Sequence, residues 1–295
     1  MLILSQADVA SVLDMVSLID VVDRAMQDVS AGRASMPPRV GALVADRNGI
    51  LAAMPAFLPS SGALTTKLVS VFPENHDRPT HQAIICCFDP DTGTPTAVID
   101  GTLITAMRTA AGSAVATRKL ARADARSVAI VGTGVQSGTH VEAMRVLGYD
   151  DITVCGRATV VSVEAAVRGA DVVCTTTHSD APVVRREWLR PGTHINSVGY
   201  NTQGTGELDE QTIRDAFVVV ESRAAAFAPP PAGAVELLGV LEPDDVAEIG
   251  ENPTRANDDQ ITVYKSVGVA VQDAAAAALV LDAARARGIG VHVDL

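Results

Sequence analysis

Ser127-Val-Ala-Ile-Val131 followed by Gly132-Thr-Gly-Val-Gln136-Ser137 decides how this chain folds. The first five residues are a continuous apolar run of strand length. Gly132-x-Gly134-x-x-Ser137 then opens a helical stretch that runs to about Leu147. In that order the residues have a mechanical meaning. The first glycine makes a tight turn, and the second lets a pyrophosphate approach the backbone. The helix start supplies unpaired N–H groups and the positive end of its dipole. Ser137 stands where a third Gly or Ala is usual, and a tight strand–helix turn without a ligand is the plainer alternative. Downstream, apolar runs recur at 151–155 (DITVC), 170–175 (ADVVCT), 193–198 (THINSV) and 217–221 (FVVVE). Buried strands alternating with helices specify a parallel, doubly wound α/β sheet, expected here over residues 121–265.

The flanking sequence has a different character. Ser5 with Asp8, and Ser17 with Asp20, read as N-caps followed by an acidic first turn. Val21, Val22, Ala25, Met26 and Val29 recur at helical spacing until Gly32 offers a stop. From Met36 to Asp100 short runs of Val, Ile, Leu and Thr are divided by turn signals, the clearest being Asp89-Pro90-Asp91-Thr92-Gly93. This stretch is expected to be a mostly antiparallel sheet. Residues 102–120 and 266–288 read as helices rich in small residues. The second most simply returns to the first domain. That yields a discontinuous α+β domain, 1–120 plus 266–295.

One spacing does not fit. A parallel crossover needs about a dozen or more residues, yet only about three separate Arg157 from the apolar Val160-Val161. Either this chain has lost a helix or a segment after Arg157 is absent from the sequence. An absent segment is the expectation, and an intact mass well above 30.6 kDa would reveal it.

Composition bounds the function. The 295 residues carry 23 Lys plus Arg against 35 Asp plus Glu, a net charge of −12, and only 3% aromatics. Nucleic-acid binding, which needs a basic footprint, is therefore not expected. No apolar run reaches the roughly 18–20 residues of a membrane span, and the first ten residues lack a basic signal-peptide start. The four cysteines, Cys86, Cys87, Cys155 and Cys174, have no metal-ligand spacing and read as buried thiols in a reducing compartment. A cytoplasmic protein of two domains, with no metal, is the expectation.

The end of the second strand normally carries an acid for the ribose hydroxyls of NAD. Here Cys155-Gly156-Arg157-Ala158 has no carboxylate, and Arg157 stands where an arginine meets a 2′-phosphate, favouring NADP(H) over NAD(H). A solvated surface arginine is the other reading. Arg39, Lys67 and Arg108 are cations in apolar or small-residue surroundings within an acidic protein. Buried cations need anionic partners, and a substrate carboxylate is a natural one. By residue pattern alone, a solvated face for Lys67 and a structural ion pair for Arg108 fit as well.

At this point the chain resembles the ornithine cyclodeaminase/μ-crystallin family over nearly its whole length. The resemblance is carried by Met36-Pro-Pro-Arg39, Lys67-Leu-Val-Ser-Val-Phe-Pro-Glu-Asn75 and Pro79-Thr-His-Gln82. Arg108-Thr-Ala-Ala111, Gly132-Thr-Gly-Val-Gln136 and Tyr264-Lys-Ser-Val-Gly268 follow in order. It implies a homodimer, with a substrate and dimerisation domain beside a Rossmann domain and the active site between them. It also implies that Arg39, Lys67 and Arg108 clamp the carboxylate of a small imino- or amino-acid substrate. Thr80 and His81, on the loop after Pro79, are candidates to line the pocket, although a packed or solvated histidine is the ordinary state. The expected cofactor set is Gly132, Thr133, Gly134, Val135, Gln136, Arg157, Thr175, Val198, Gly199 and Lys265.

True ornithine cyclodeaminases resemble the block Ser197–Leu208 but carry an aspartate at the position matching Asn201. An asparagine cannot act as a base near pH 7, so cyclodeaminase activity is not expected. Asn201 retains a catalytic reading through hydrogen bonds to the nicotinamide or a substrate nitrogen, against an ordinary turn residue before Gly204. The expected activity is NAD(P)H-dependent reduction of an α-imino acid, with Lys67 as proton donor. A redox-neutral cyclodeaminase and a non-catalytic NADPH-binding, crystallin-like protein are the alternatives.

Overall fold

Among the described residues, 1–199, 206–230 and 232–294, the computed structural model holds two seven-stranded sheets. In chain order the elements begin with β1 (Leu2–Leu4), α1 (Gln6–Val12), α2 (Met15–Ser30), β2 (Val40–Val44) and β3 (Gly49–Leu58). They continue with β4 (Ala63–Val71), β5 (His81–Phe88), β6 (Pro95–Asp100) and α3 (Gly101–Leu120). Next come β7 (Ser127–Val131), α4 (Val135–Val146), β8 (Asp151–Cys155), α5 (Val163–Gly169), β9 (Val172–Thr175) and β10 (His194–Ser197). The chain closes with α6 (Glu210–Asp215), β11 (Phe217–Val220), α7 (Arg223–Ala226), β12 (Ala247–Glu248), β13 (Thr262–Lys265), α8 (Ala270–Arg287) and β14 (Val291–His292). Two units result, Met1–Arg108 with Val269–Leu295, and Thr109–Gly268.

The first unit is built on the sheet β14-β1-β6-β5-β4-β3-β2. Strands β2 to β6 pair antiparallel in succession, as their alternation and turns imply. At the β5–β6 turn, Asp89 N–H donates to Thr94 O and Gly93 takes φ +70°, a left-handed conformation that suits glycine. Two short strands were not anticipated: β1, parallel to β6, and β14, antiparallel to β1. At three and two residues they are too short for a periodicity to register.

Ser5 caps α1 in a capping box with Asp8. The expected cap at Ser17 is corrected: Asp14 is the N-cap of α2 and accepts from Ser17 N–H at 2.9 Å. Both residue types cap well, but Met15 is buried and already in the helix, so the start lies earlier. Helix α8 contacts α1, α2, β3 and β4. Val271 to Ala277 are all buried, and the run of alanines lets the helix backbone come close to its neighbours.

The second unit carries the parallel sheet β12-β11-β13-β10-β9-β7-β8, in which every pairing is parallel. Its core joins Val131, Cys155, Val173, Ile195, Val218 and Val263 from six strands, each such residue contributing roughly 1.5–3 kcal/mol on full burial. The reading of the strand series stopped at 221, whereas β13 lies centrally between β10 and β11.

The crossover judged too short is bridged. Val160 and Val161 are exposed loop residues, and α5, capped by Ser162, leads into β9. Strands β8 and β9 flank β7 on opposite sides, so residues 156–171 make the connection. Val160-Val161 is therefore not the start of the next strand. Among the described residues no helix is long and apolar enough to cross a membrane.

Candidate active site

In the first unit, the sequence places two cations so that tertiary folding must provide them with an anion. Lys67 alternates inward on β4 and Arg108 lies on α3; each is 5% exposed or less. Asp273, in the first turn of α8, answers both. Its Oδ2 lies 2.7 Å from Lys67 Nζ and its Oδ1 accepts from Arg108 Nε at 3.1 Å. Gln272 Oε1 accepts from Arg108 Nη1 at 3.0 Å, which with Asp273 fixes the plane of the guanidinium.

The electrostatics follow from this geometry. Burial lowers the Lys67 pKa, as do the nearby charges of Arg108 and Arg39. Asp273 opposes them, and the result is about 8. For Asp273, burial pushes upward, but Arg108 and Lys67 outweigh it and hold the carboxyl below its usual range. His81, at the start of β5, is pushed down to about 4 by burial and then by the charges of Lys67 and Arg108. It is therefore neutral near pH 7 and close enough to sense both cations. Thr80 is exposed, and its carbonyl accepts from Phe72 N–H at 2.8 Å. Arg39, half-buried just before β2, acts electrostatically on Lys67. The cluster thus gathers Lys67, Arg108, Arg39 and His81.

In the second unit, the glycine turn follows β7 directly. Gly132 takes φ +129°, and a Cβ there would clash with Thr176 Oγ1, so only glycine fits. A Cβ on Gly134 would have nothing within 4 Å, and no side chain caps α4. Thr133, Gly134 and Val135 are exposed and Gln136 half-buried. An open backbone surface at an uncapped helix start fits a nucleotide pyrophosphate. His140 supports the turn from behind: burial holds its pKa near 4, so the neutral ring donates from Nδ1 to Gln136 O at 2.7 Å and accepts Ser113 Oγ–H at Nε2, 2.9 Å away.

Arg157 is exposed in the loop after β8. Thr175 is buried, and its hydroxyl donates to Glu207. Val198 N–H donates to Thr175 O at 3.1 Å, and Gly199 is held by Glu207 and Lys265. The Lys265 ammonium, 1% exposed, faces Glu236 at 2.8 Å, Gly199 O at 2.9 Å and Ser197 Oγ at 3.4 Å. Its charge is thus engaged with protein groups. Asn201 lies outside the described residues. The cysteines are free; Cys87, Cys155 and Cys174 are buried as expected, whereas Cys86 is half-buried because it faces the outer side of β5. Among the described residues no group of three or more His, Cys, Asp or Glu side chains could hold a metal ion.

Sequence reasoning missed Gln272, Asp273, Glu207, Glu236 and His140. The signal for the first two was a polar pair inside the apolar run Val267–Leu281, since charged groups enter such a run only when paired.

Comparison with known proteins bears on these arrangements. Residues 1–160 and 151–288 match the ornithine cyclodeaminase/mu-crystallin family, the two matches overlapping over residues 151–160. The ketimine reductase mu-crystallin of Mus musculus is 39% identical over 281 residues, covering 85% of this chain and 86% of that protein. The Thermococcus litoralis Δ1-pyrroline-2-carboxylate reductase in complex with NADH and L-proline superposes with a TM-score of 0.89 at 34% identity, covering 99% of this chain and 100% of the other. An archaeal alanine dehydrogenase dimer with bound NAD gives a TM-score of 0.92 at 32% identity, over 100% and 99% of the two chains. With the glycine turn, the doubly wound sheet and the cationic cluster in place, the chain belongs to the ornithine cyclodeaminase/mu-crystallin family.

Proposed function

We propose that this protein uses a reduced nicotinamide nucleotide to convert an α-imino acid, linear or a cyclic ketimine, into the corresponding L-amino acid. The observation that carries the reading is the buried group Lys67–Asp273–Arg108. It holds two desolvated cations against one carboxylate, with Arg39 acting on it electrostatically. A small anionic carboxylate is the ligand that complements the remaining positive charge. The named activities of the relatives, ketimine reductase, pyrroline-2-carboxylate reductase and alanine dehydrogenase, concern the same bond class.

Arg108, its plane fixed by Asp273 and Gln272, orients the substrate carboxylate, assisted by Arg39. Lys67 protonates the substrate nitrogen. With its pKa near 8 it is still an ammonium at pH 7 but releases its proton more readily than an ordinary lysine. The bound cofactor contributes hydride donation to the carbon of the C=N bond. Holding the carboxylate rigidly removes part of the entropic barrier to that transfer.

Two finer assignments accompany the activity. NADP(H) is preferred over NAD(H), because Arg157 is the charged side chain in the loop after β8 and no acid stands beside it. The protein is a homodimer, assembled through the outer face of the first unit's sheet. There Val40, Ala53, Leu68 and Ile84 form one cross-strand row over four strands, flanked on the same face by the exposed Leu51.

The test is the loss of reduced-nicotinamide absorbance with NADPH and NADH in parallel. The acceptors are pyrroline-2-carboxylate and pyruvate, oxaloacetate or glyoxylate with ammonia. Stoichiometric amino-acid formation is expected. Conversion of ornithine to proline without net cofactor consumption, or tight nucleotide binding without turnover, would overturn the assignment.

A further inference from the structure

Glu207 is completely buried, and its two oxygens take up donors from two separate loops. Oε1 accepts from Thr177 N–H at 2.7 Å and from Thr177 Oγ at 2.6 Å. Oε2 accepts from Gly199 N–H at 2.7 Å, Thr175 Oγ at 2.6 Å and Ser197 Oγ at 3.3 Å. These donors lie at or just beyond the carboxyl ends of β9 and β10, where ligands of doubly wound sheets bind. Gly199 is gripped from both sides, its carbonyl accepting from Lys265 Nζ at 2.9 Å. A Cβ on Gly199 would lie 2.5 Å from both Glu207 Oε2 and Thr177 O. The Thr175–Thr177 loop also reaches the glycine turn, since Thr176 Oγ donates to Val131 O at 3.0 Å and shields Gly132.

The strand order says which half of a dinucleotide these loops serve. The chain leaves β7 toward β8 on one side and resumes with β9 and β10 on the other. Arg157 follows β8, on the adenosine side. The loops tied by Glu207 therefore lie on the nicotinamide side of the β7 turn. We propose that Glu207 is a positioning residue that braces the loops after β9 and β10 so that they hold the nicotinamide half of the cofactor. The glycine turn and Arg157 hold the remainder. This rests on the nucleotide-binding reading above.

Glutamine in place of Glu207 has nearly the same shape but accepts at only one end. Hydroxyls can rotate to meet an amide, whereas the N–H of Thr177 or of Gly199 cannot, so one arm of the brace loses its acceptor.

The experiment is isothermal calorimetry on the wild type, Glu207→Gln and Thr177→Val with two ligands, NADPH and ADP-ribose 2′-phosphate, which lacks the nicotinamide. Thermal melting checks that each variant is folded at the titration temperature. The expected result for Glu207→Gln is a loss of about tenfold or more in NADPH affinity, with affinity for the ring-less ligand kept within about twofold. Thr177→Val, which removes a single donor, should show a smaller loss in the same direction and tests the brace even if Glu207→Gln does not fold. Unchanged NADPH affinity in both folded variants, or equal losses for the two ligands, would overturn the proposal. A wild type that binds neither these ligands nor NADH would overturn the nucleotide reading itself.

Discussion

Asp273 Oδ2 lies 2.7 Å from Lys67 Nζ, with both side chains almost wholly buried. The carboxylate also belongs to the first turn of α8, where the positive end of the helix dipole favours it. This pair sets the titration of the residue assigned as proton donor.

Lys67 titrates near 8 instead of 10.5. Below about pH 8 it is an ammonium, and as pH rises through that value it loses the proton it must donate. For the reductive reaction, kcat/KM should therefore fall about tenfold per pH unit above about pH 8. In linkage terms, a lysine with a lowered folded pKa destabilises the fold most below about 8. That penalty fades as pH rises toward 10.5. Rates measured from pH 6 to 10 decide the catalytic point, since Lys67→Met should lower kcat and remove the alkaline limb. A wild-type profile flat through pH 9 would exclude Lys67 as donor.

Asp273→Asn should move that limb to lower pH, because the carboxylate is the group that raises the lysine pKa. It should also destabilise the protein by about 3–5 kcal/mol, the usual loss when one partner of a buried ion pair is removed. Urea unfolding together with the pH–rate profile measures both effects. An unmoved limb would mean that another group controls Lys67.

Arg157→Ala should raise the KM for NADPH by about tenfold or more, the scale of one charge-assisted contact to a phosphate. The KM for NADH should change less than about twofold. Parallel initial-rate measurements with the two cofactors suffice, and equal effects on both would count against a 2′-phosphate contact.

Leu51→Glu combined with Ile84→Glu should convert a dimer into monomers, since each places a charge on the exposed apolar face of the β2–β5 sheet. Light scattering reads the mass directly, while circular dichroism should show the fold retained. A mass unchanged by both substitutions would place any interface elsewhere.

Much of the fold was legible in the residues. Ser127–Val131 with Gly132 and Gly134 specified strand, turn and helix, and the Asp89–Gly93 turn marked its hairpin. Where the reading failed, the local signal was weak or misleading. Strands β1 and β14 were too short to show a period, and the apolar pair Val160-Val161 lies exposed in a loop. Lys67 and Arg108 stood out as cations in apolar surroundings, but nothing local named their partner.

The sequence by itself determined the periodicities, the turn chemistry and the residue types able to bind a carboxylate or a pyrophosphate. These are properties of neighbouring residues and survive without knowledge of the rest of the chain. Only the tertiary structure decided that Asp273 meets Arg108 across 165 positions, that Glu207 joins the loops after β9 and β10, and that β13 inserts between β10 and β11. A buried charge must find an opposite charge or hydrogen-bond donors, but which ones it finds depends on how distant segments pack.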